Sequence, residues 1–156
     1  MPEAAPEFVY TVYIAAPVER VWSALVDSEI TRKYWGHENR SDWRKGSRWE
    51  HVRVGREGVV DVAGNVIEID PPHRLVTSWF SPEDEGNPAR TSQVTYEISA
   101  VGAESKLVVT HSDLNELGMR AGVSQGWPLV LSSLKSFLET GKGLAALDSR
   151  IKELSD

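Results

Sequence analysis

Histidines are the side chains in this sequence that could most readily bind a metal or move a proton, because the chain has no cysteine. The four histidines are His37, His51, His73 and His111. No two of them have the three- or four-residue spacing that places two metal ligands on one helical face. A site formed by His111, Asp113 and an approaching His51 remains an alternative. We predict that no metal and no cofactor is bound, and that these histidines are hydrogen-bonded or solvent-facing.

Catalytic signatures are missing from the sequence. There is no nucleophile elbow, no Gly-rich phosphate-binding loop and no characteristic pair of carboxylates. An enzyme would need a titratable group with a perturbed pKa inside a cavity. His51, Tyr96 and His111 are the candidates, and no motif selects among them, so a cyclase or hydrolase remains an alternative. The acidic run 83–85 is interpreted as the solvated part of a loop.

Tryptophan is frequent, with six among 156 residues. Each indole has a large apolar surface and an N–H group that needs a partner. Trp22 and Trp127 lie in helical stripes, which predicts core positions. Trp49 and Trp79 lie on predicted strands and can face inward, whereas Trp43 lies in a predicted loop near an entrance. The alternatives are that the tryptophans fill the interior or that some line a ligand cavity, and for the cavity we predict these ligand-binding residues: Trp35, Trp49, His51, Trp79, Tyr96, His111 and Trp127.

A long helix near the C-terminus must cover the predicted strands. Apolar residues from Trp127 to Leu138 recur at helical spacing over residues 126–141. Pro128 fits the first helical turn, so we expect the helix to begin near residue 126, and Gly141 provides a left-handed stop. Asp113, followed three residues later by a glutamate, resembles a capping box, but the glycines between it and residue 126 predict an irregular lead-in.

The remaining pattern predicts an α+β fold of one domain. We expect about six antiparallel strands, two short helices after the first strand, and a curved sheet wrapped round the long helix. The predicted strands are 8–15, 47–54, 59–69, 74–80, 91–100 and 106–111, the short helices are 18–26 and 29–34 with Ser28 as a cap, and 37–45 is a predicted loop.

The pattern divides the chain into three regions. Residues 1–7 are predicted to be a disordered N-terminus, 8–141 the folded domain, and 142–156 a helical tail. The tail has apolar residues at Leu144, Leu147, Ile151 and Leu154. These either pack on the domain, which is favoured because a short helix needs a surface to bury on, or face a partner.

Charge and hydropathy exclude several classes of function. The formal net charge is −6, which argues against a broad nucleic-acid footprint. No apolar run approaches the roughly 20 residues of a membrane helix. The N-terminal residues lack the basic start and apolar core of a signal peptide, so we expect a cytoplasmic protein with neither nucleic acid nor membrane as a partner.

Four segments resemble the START-like helix-grip (SRPBCC) superfamily. They are IAAPVERVW at 14–22, TRKYW at 31–35, GNVIEIDPPHRL at 64–75, and the pattern GW…L…L…LE-G at 126–141. The last is similar to the subfamily related to the C-terminal domain of the heat-shock-protein ATPase activator. Pro128 departs from this pattern, since the family continues a regular helix there.

The resemblance, which covers about residues 8–141, implies the same fold and a general kind of function. Members bind lipids, sterols, hormones or polyketide intermediates, and some are enzymes. We therefore expect this chain to bind a small hydrophobic or aromatic molecule between the sheet and the long helix. The alternatives are a chaperone-associated or other protein-interaction module, and an enzyme acting on a cavity-bound substrate. We expect a monomer or a homodimer.

Overall fold

The structure, a computed structural model, describes residues 7–56, 58–114, 117–145 and 147. Within these residues a seven-stranded antiparallel sheet, in the order β1-β7-β6-β5-β4-β3-β2, curls against a long helix. The α+β helix-grip fold is therefore confirmed. The strands are β1 Phe8–Ile14, β2 His37–Arg40, β3 Arg48–Arg53, β4 Val60–Asp70, β5 Arg74–Trp79, β6 Ser92–Val101 and β7 Glu104–Ser112, and the helices are α1 Val18–Val26, α2 Ser28–Tyr34 and α3 Leu117–Thr140.

The prediction of a loop over 37–45 is wrong for its first four residues, which form β2, and holds for residues 41–45. The four residues of β2 are all polar, so they show no apolar alternation that would mark a strand. Tertiary contacts define β2 instead. It pairs with β3 on one side, and the N–H of Asn39 donates to Oγ1 of Thr31 in α2 over 3.0 Å on the other.

Helix α3 begins at Leu117, so the prediction of a start near residue 126 is wrong. Pro128 lies inside the helix, where it removes one N–H donor. The buried side chains of Trp127, Leu131 and Leu134, all on the face toward the core, hold the helix across this position. The predicted stop is confirmed, because Gly141 has a φ of 89° and its N–H donates to the carbonyl of Phe137 over 2.8 Å.

Helix α3 also protects the edge strand β1. Nζ of Lys135 donates to the carbonyl of Tyr13 over 2.8 Å. The N–H of Ala15, just beyond β1, donates to Oε2 of Glu139 over 2.7 Å. Backbone groups at this end of the edge are therefore paired within the domain, which limits pairing with another chain.

The cap of α2 differs from the prediction of Ser28. Asp27 is the cap, and its Oδ1 accepts the N–H of Glu29 over 2.9 Å. Aspartate and serine are both favourable caps, so two adjacent candidates in the sequence leave the start of the helix open by one residue. The short helix itself is confirmed.

The first residues of the predicted tail pack on the domain. The N–H of Leu144 donates to Oγ of Ser133 in α3 over 3.0 Å, and Leu147 is 5% exposed. The predictions for residues 1–6, Ile151, Leu154 and the glutamate of the proposed capping box lie outside the described residues. Among the helices that are described, none has the length and apolar character to cross a membrane.

Candidate functional site

A cavity of about 460 Å³ lies between the curled sheet and α3. Small-molecule sites commonly have volumes of about 300–1,000 Å³. Trp127 of α3 and Trp79 of β5 line it, and Leu147 contributes from the segment after α3. The interior beside Trp127 is thus open, as a binding cavity requires.

Three indole rings form the aromatic wall of this cavity. The ring of Trp127 lies 5.6 Å from that of Trp35 and 5.7 Å from that of Trp79, centroid to centroid. The interplanar angles are 60° and 52°, so the rings are tilted against one another. Such a wall offers both faces and edges of aromatic rings to a planar apolar molecule.

Two glycines of α3 create room in the cavity. Gly122 and Gly126 both line it, and a Cβ atom built at either would meet no atom within 4 Å. A glycine costs about 1 kcal/mol against alanine in a helix, which was the reason to expect an irregular lead-in. The helix is continuous here, and because the two glycines have no side chains, they leave space where the helix borders the cavity.

His111 of β7 forms the centre of a directional hydrogen-bond chain. Nε1 of Trp127 can only donate, and it donates to Nδ1 of His111 over 3.0 Å. In the neutral ring Nε2 then carries the proton and donates to Oγ of Ser92 over 2.7 Å. The hydroxyl of Ser92 donates in turn to the carbonyl of Trp79 over 3.1 Å.

This chain of hydrogen bonds determines what His111 can do. Burial lowers its pKa to about 4, so the imidazole is neutral at pH 7. Both ring nitrogens are already hydrogen-bonded to protein groups, so neither is free to bind a metal or to take a proton from a substrate. His111 therefore orients Trp127 and Ser92. Among the described residues, no group of three or more His, Asp or Glu side chains is placed to hold a metal ion.

Ser92→Ala is expected to lower the free energy of unfolding by about 1–3 kcal/mol, because it leaves the buried Nε2–H of His111 without an acceptor. Urea denaturation at pH 7.5 measures this. The matched control is Ser112→Ala, since the half-buried Ser112 makes a long hydrogen bond of 3.4 Å to the carbonyl of Gln93. Equal effects of the two variants would contradict the proposed importance of the His111 chain.

A second polar group lies where β2, β3 and β4 meet the cavity. The rings of His37 and His51 are stacked, with centroids 4.0 Å apart and an interplanar angle of 7°. Nδ1 of His51 is 2.6 Å from Oδ1 of Asn39. Nε2 of His37 is 2.8 Å from Oδ2 of Asp61, and Asp61 also accepts two hydrogen bonds from Arg53.

These contacts shift the pKa values of the group. Burial, and next the nearby His37, lower the pKa of His51 well below its usual value. Partial burial alone would raise the pKa of Asp61, but hydrogen bonds from Arg53 and His37 bring it below the usual value. Arg53, which would be costly on an inward face without a partner, is thus paired.

The acidic run 83–85 was interpreted as solvating its loop, and this interpretation is incomplete. Asp84 lines the cavity and accepts a hydrogen bond from Arg90 over 3.0 Å. Glu85 pairs with Arg48 over 2.6 Å. Short turns at Pro82–Asp84 and Pro88–Arg90 hold the loop in place, so charged groups contribute to the rim of the cavity.

Of the seven predicted site residues, five line the cavity and two lie behind its wall. Trp49 and Tyr96 border a separate space of about 10 Å³, together with Trp43. Nε1 of Trp49 donates to the carbonyl of Ser78 over 2.9 Å, and burial raises the pKa of Tyr96. The five that line the cavity are Trp35, His51, Trp79, His111 and Trp127.

Sequence reasoning missed His37, Asp61 and Ser92. Ser92 could have been found, because it precedes inward-facing Val94 by two residues on the predicted strand. Asp61 likewise precedes buried Ala63 by two. His37 gave no usable signal, because the strand that carries it is polar throughout.

The curled sheet, the long covering helix and the cavity between them define a START-like helix-grip protein. The chain belongs to the family described as Activator of Hsp90 ATPase homolog 1-like protein, which it matches over residues 15–139. No curated protein matches the sequence significantly.

Solved structures show the same architecture. CalU16 from Micromonospora echinospora is 26% identical, with a TM-score of 0.72, over 96% of this chain and 83% of that one. An Hsp90 activator from Plasmodium falciparum is 25% identical, with a TM-score of 0.70, over 85% and 96%. The Aha1 dimer from Colwellia psychrerythraea, at 22% identity and a TM-score of 0.73 over 88% and 99%, shows the fold.

Proposed function

We propose that this protein binds a small hydrophobic or aromatic molecule in the cavity between the sheet and α3, and that it does so in the cytoplasm. The observation that carries the proposal is the cavity of about 460 Å³ walled by Trp35, Trp79 and Trp127. Protein interiors are normally packed to the density of organic crystals, so an open space beside three indoles needs an explanation. A bound aromatic molecule supplies one.

The construction of α3 supports this proposal. Gly122 and Gly126 face the cavity and leave it open, although each weakens the helix. Larger residues at these positions would fill the space and stabilise the helix. The polar groups of His111 and Ser92 in the wall are hydrogen-bonded to each other, so the wall near them suits an apolar molecule.

Native mass spectrometry of gently purified protein tests the proposal. We expect a stoichiometric small-molecule adduct that is lost on unfolding. Gly126→Leu should abolish the adduct by filling the cavity, because its side chain would enter space that holds no atom within 4 Å of the added Cβ. Ser132→Leu adds the same side chain at an exposed position of α3 and should retain the adduct.

A wild-type mass without an adduct does not by itself refute the proposal, since a ligand can be lost during purification. A panel of aromatic probes is therefore titrated by calorimetry into wild type, Gly126→Leu and Ser132→Leu. Absence of binding to the wild type, or equal binding to all three proteins, would refute the cavity as the binding site.

A protein-interaction role is the second candidate. The family to which the chain belongs supports it, since that family is described by its similarity to an activator of the Hsp90 ATPase. One of the solved structures similar to this chain is described as an Hsp90 activator. This hypothesis predicted an exposed apolar patch at Leu144, Leu147 and Ile151. Leu147 is buried and Leu144 half-buried, while Ile151 lies outside the described residues, so the described part of the tail favours packing on the domain. Stimulation of Hsp90 ATPase activity by the purified chain would support the interaction role.

A further inference from the structure

The orientation of His51 follows from its neighbour Asn39. Nδ2 of Asn39 lies 3.4 Å from the carbonyl of Leu25, to which it can only donate. The amide oxygen therefore faces His51, and Nδ1 of His51 must carry the proton that Oδ1 accepts over 2.6 Å. In the neutral ring Nε2 is left with a lone pair.

That lone pair has no protein partner among the described residues. His51 is 4% exposed and lines the cavity, whereas both nitrogens of the nearby His111 are hydrogen-bonded. His37, stacked on His51, also lines the cavity, and its buried Nδ1 has no partner in the part of the chain that the structure describes. Nε2 of His51 is therefore an acceptor in the cavity wall that a bound molecule can reach, and a group that donates to it would gain a hydrogen bond that the protein does not supply.

Aromatic surfaces surround this acceptor. The ring of Trp35 lies edge-on to that of His51 at 4.9 Å, and the ring of Trp79 is tilted at 5.9 Å. Burial and the neighbouring His37 lower the pKa of His51 and so disfavour its protonation, and Nε2 remains an acceptor at neutral pH. A planar molecule that lies against the indole wall can thus bring one polar edge to Nε2.

We propose that the cavity selects planar aromatic molecules that carry a hydrogen-bond donor, such as a phenolic hydroxyl, which donates to Nε2 of His51. This inference rests on the proposed ligand-binding function and specifies the ligand class. Asn39 is a positioning residue, because it holds the tautomer that presents the lone pair. A molecule that offers an acceptor at this point would place two lone pairs against each other.

The test compares three probes of similar shape: 2-naphthol, 2-methoxynaphthalene and naphthalene. Dissociation constants are measured by isothermal titration calorimetry at pH 7.5. We expect 2-naphthol to bind at least about 10-fold more tightly than 2-methoxynaphthalene, which is the order of one buried hydrogen bond. In His51→Phe the preference should disappear while naphthalene still binds. His73→Phe makes the same replacement at a histidine that does not line the cavity and should keep the preference.

Other outcomes separate the two proposals. Equal affinities for 2-naphthol and 2-methoxynaphthalene in the wild type would overturn the donor selectivity and leave cavity binding intact. Tighter binding of 2-methoxynaphthalene would also overturn it, because the cavity would then favour the molecule that has no donor. Failure of all three probes to bind would refute cavity binding itself.

A second variant covers the case in which His51→Phe does not fold. His51→Gln places an amide oxygen at the height of Nε2 and should retain part of the preference. Asn39→Leu removes the group that sets the tautomer without touching the ligand. We expect it to reduce the preference for 2-naphthol by several-fold while naphthalene affinity stays constant, and an unchanged preference would exclude the positioning role.

Discussion

Gly64→Ala is expected to unfold the protein or to lower its free energy of unfolding by at least about 3 kcal/mol. A Cβ atom at Gly64 would lie 1.9 Å from the carbonyl oxygen of Ser78 and 2.5 Å from Nε1 of Trp49. Real Cβ atoms do not approach other atoms so closely. Strand β5 and the indole would both have to move away from Gly64.

Both of those groups are held firmly. Gly64 in β4 lies opposite Trp49 in β3, and the indole crosses the strand at this position to donate to the carbonyl of Ser78 over 2.9 Å. Moving the indole would break this hydrogen bond in a residue that is 3% exposed. Moving Ser78 would disturb β5 beside Trp79, which lines the cavity.

Urea denaturation, followed by far-UV circular dichroism, measures the effect. Gly126→Ala is the matched control, because its Cβ would meet no atom within 4 Å and it lies in a helix. We expect that variant to be neutral or to gain up to about 1 kcal/mol. If Gly64→Ala changed the free energy of unfolding by less than about 0.5 kcal/mol, the indole of Trp49 and the carbonyl of Ser78 could not lie as close to Gly64 as described.

Acidification from pH 6.5 to pH 4 is expected to lower the free energy of unfolding by about 3 kcal/mol through His111 alone. Burial depresses its folded-state pKa to about 4, whereas an unfolded histidine has a pKa near 6.5. Between these values the unfolded chain binds the proton and the folded protein does not. The contribution of neutral His111 to the free energy of unfolding is therefore present above about pH 6.5, and it is lost progressively as the pH decreases toward 4.

His51 acts in the same direction, since burial also lowers its pKa. Asp61, whose pKa is depressed by Arg53 and His37 despite partial burial, acts at lower pH. Its contribution is present above the unfolded value near 3.9 and is lost below it. The loss between pH 6.5 and 4 therefore reports mainly on the buried histidines.

The measurement is a series of urea denaturations from pH 7.5 to pH 4. His111→Gln keeps an acceptor for Trp127 and a donor for Ser92, so it is expected to fold and to show a flatter pH dependence than the wild type. The two proteins are compared by the slope of the free energy of unfolding against pH, so a lower stability of His111→Gln at pH 7.5 does not affect the test. An identical slope in the wild type and in His111→Gln would show that His111 is not the group responsible.

Much of the fold could be predicted because local patterns and burial agree along most of the chain. Residues 8–14 alternate strictly and form β1, and the apolar stripe from Trp127 to Leu138 forms the buried face of α3. Where a local rule conflicted with packing, packing decided. Pro128 and the glycines at 122 and 126 lie within one continuous helix, since the buried side chains of that helix outweigh the local cost.

The candidate site could be predicted in part. Trp35, Trp79 and Trp127 were predicted from residue type and position, and they meet at the cavity. Trp49 lies on β3, which β4 separates from the strand of Trp79, and its indole crosses β4 above Gly64 and ends behind the wall. Nothing in the alternation of β3 distinguishes these two outcomes, because both place Trp49 in the interior.

The amino-acid sequence by itself determined the α+β class, the stop at Gly141 and the concentration of aromatic residues on inward faces, because each depends on residue type and short-range periodicity. Tertiary structure alone decided strand β2, the stacking of His37 on His51, and the state of each imidazole nitrogen. Those features depend on groups far apart in the chain, such as Asn39 with His51 and Ser92 with His111. A polar strand or a buried histidine acquires its role from the partner that folding brings to it.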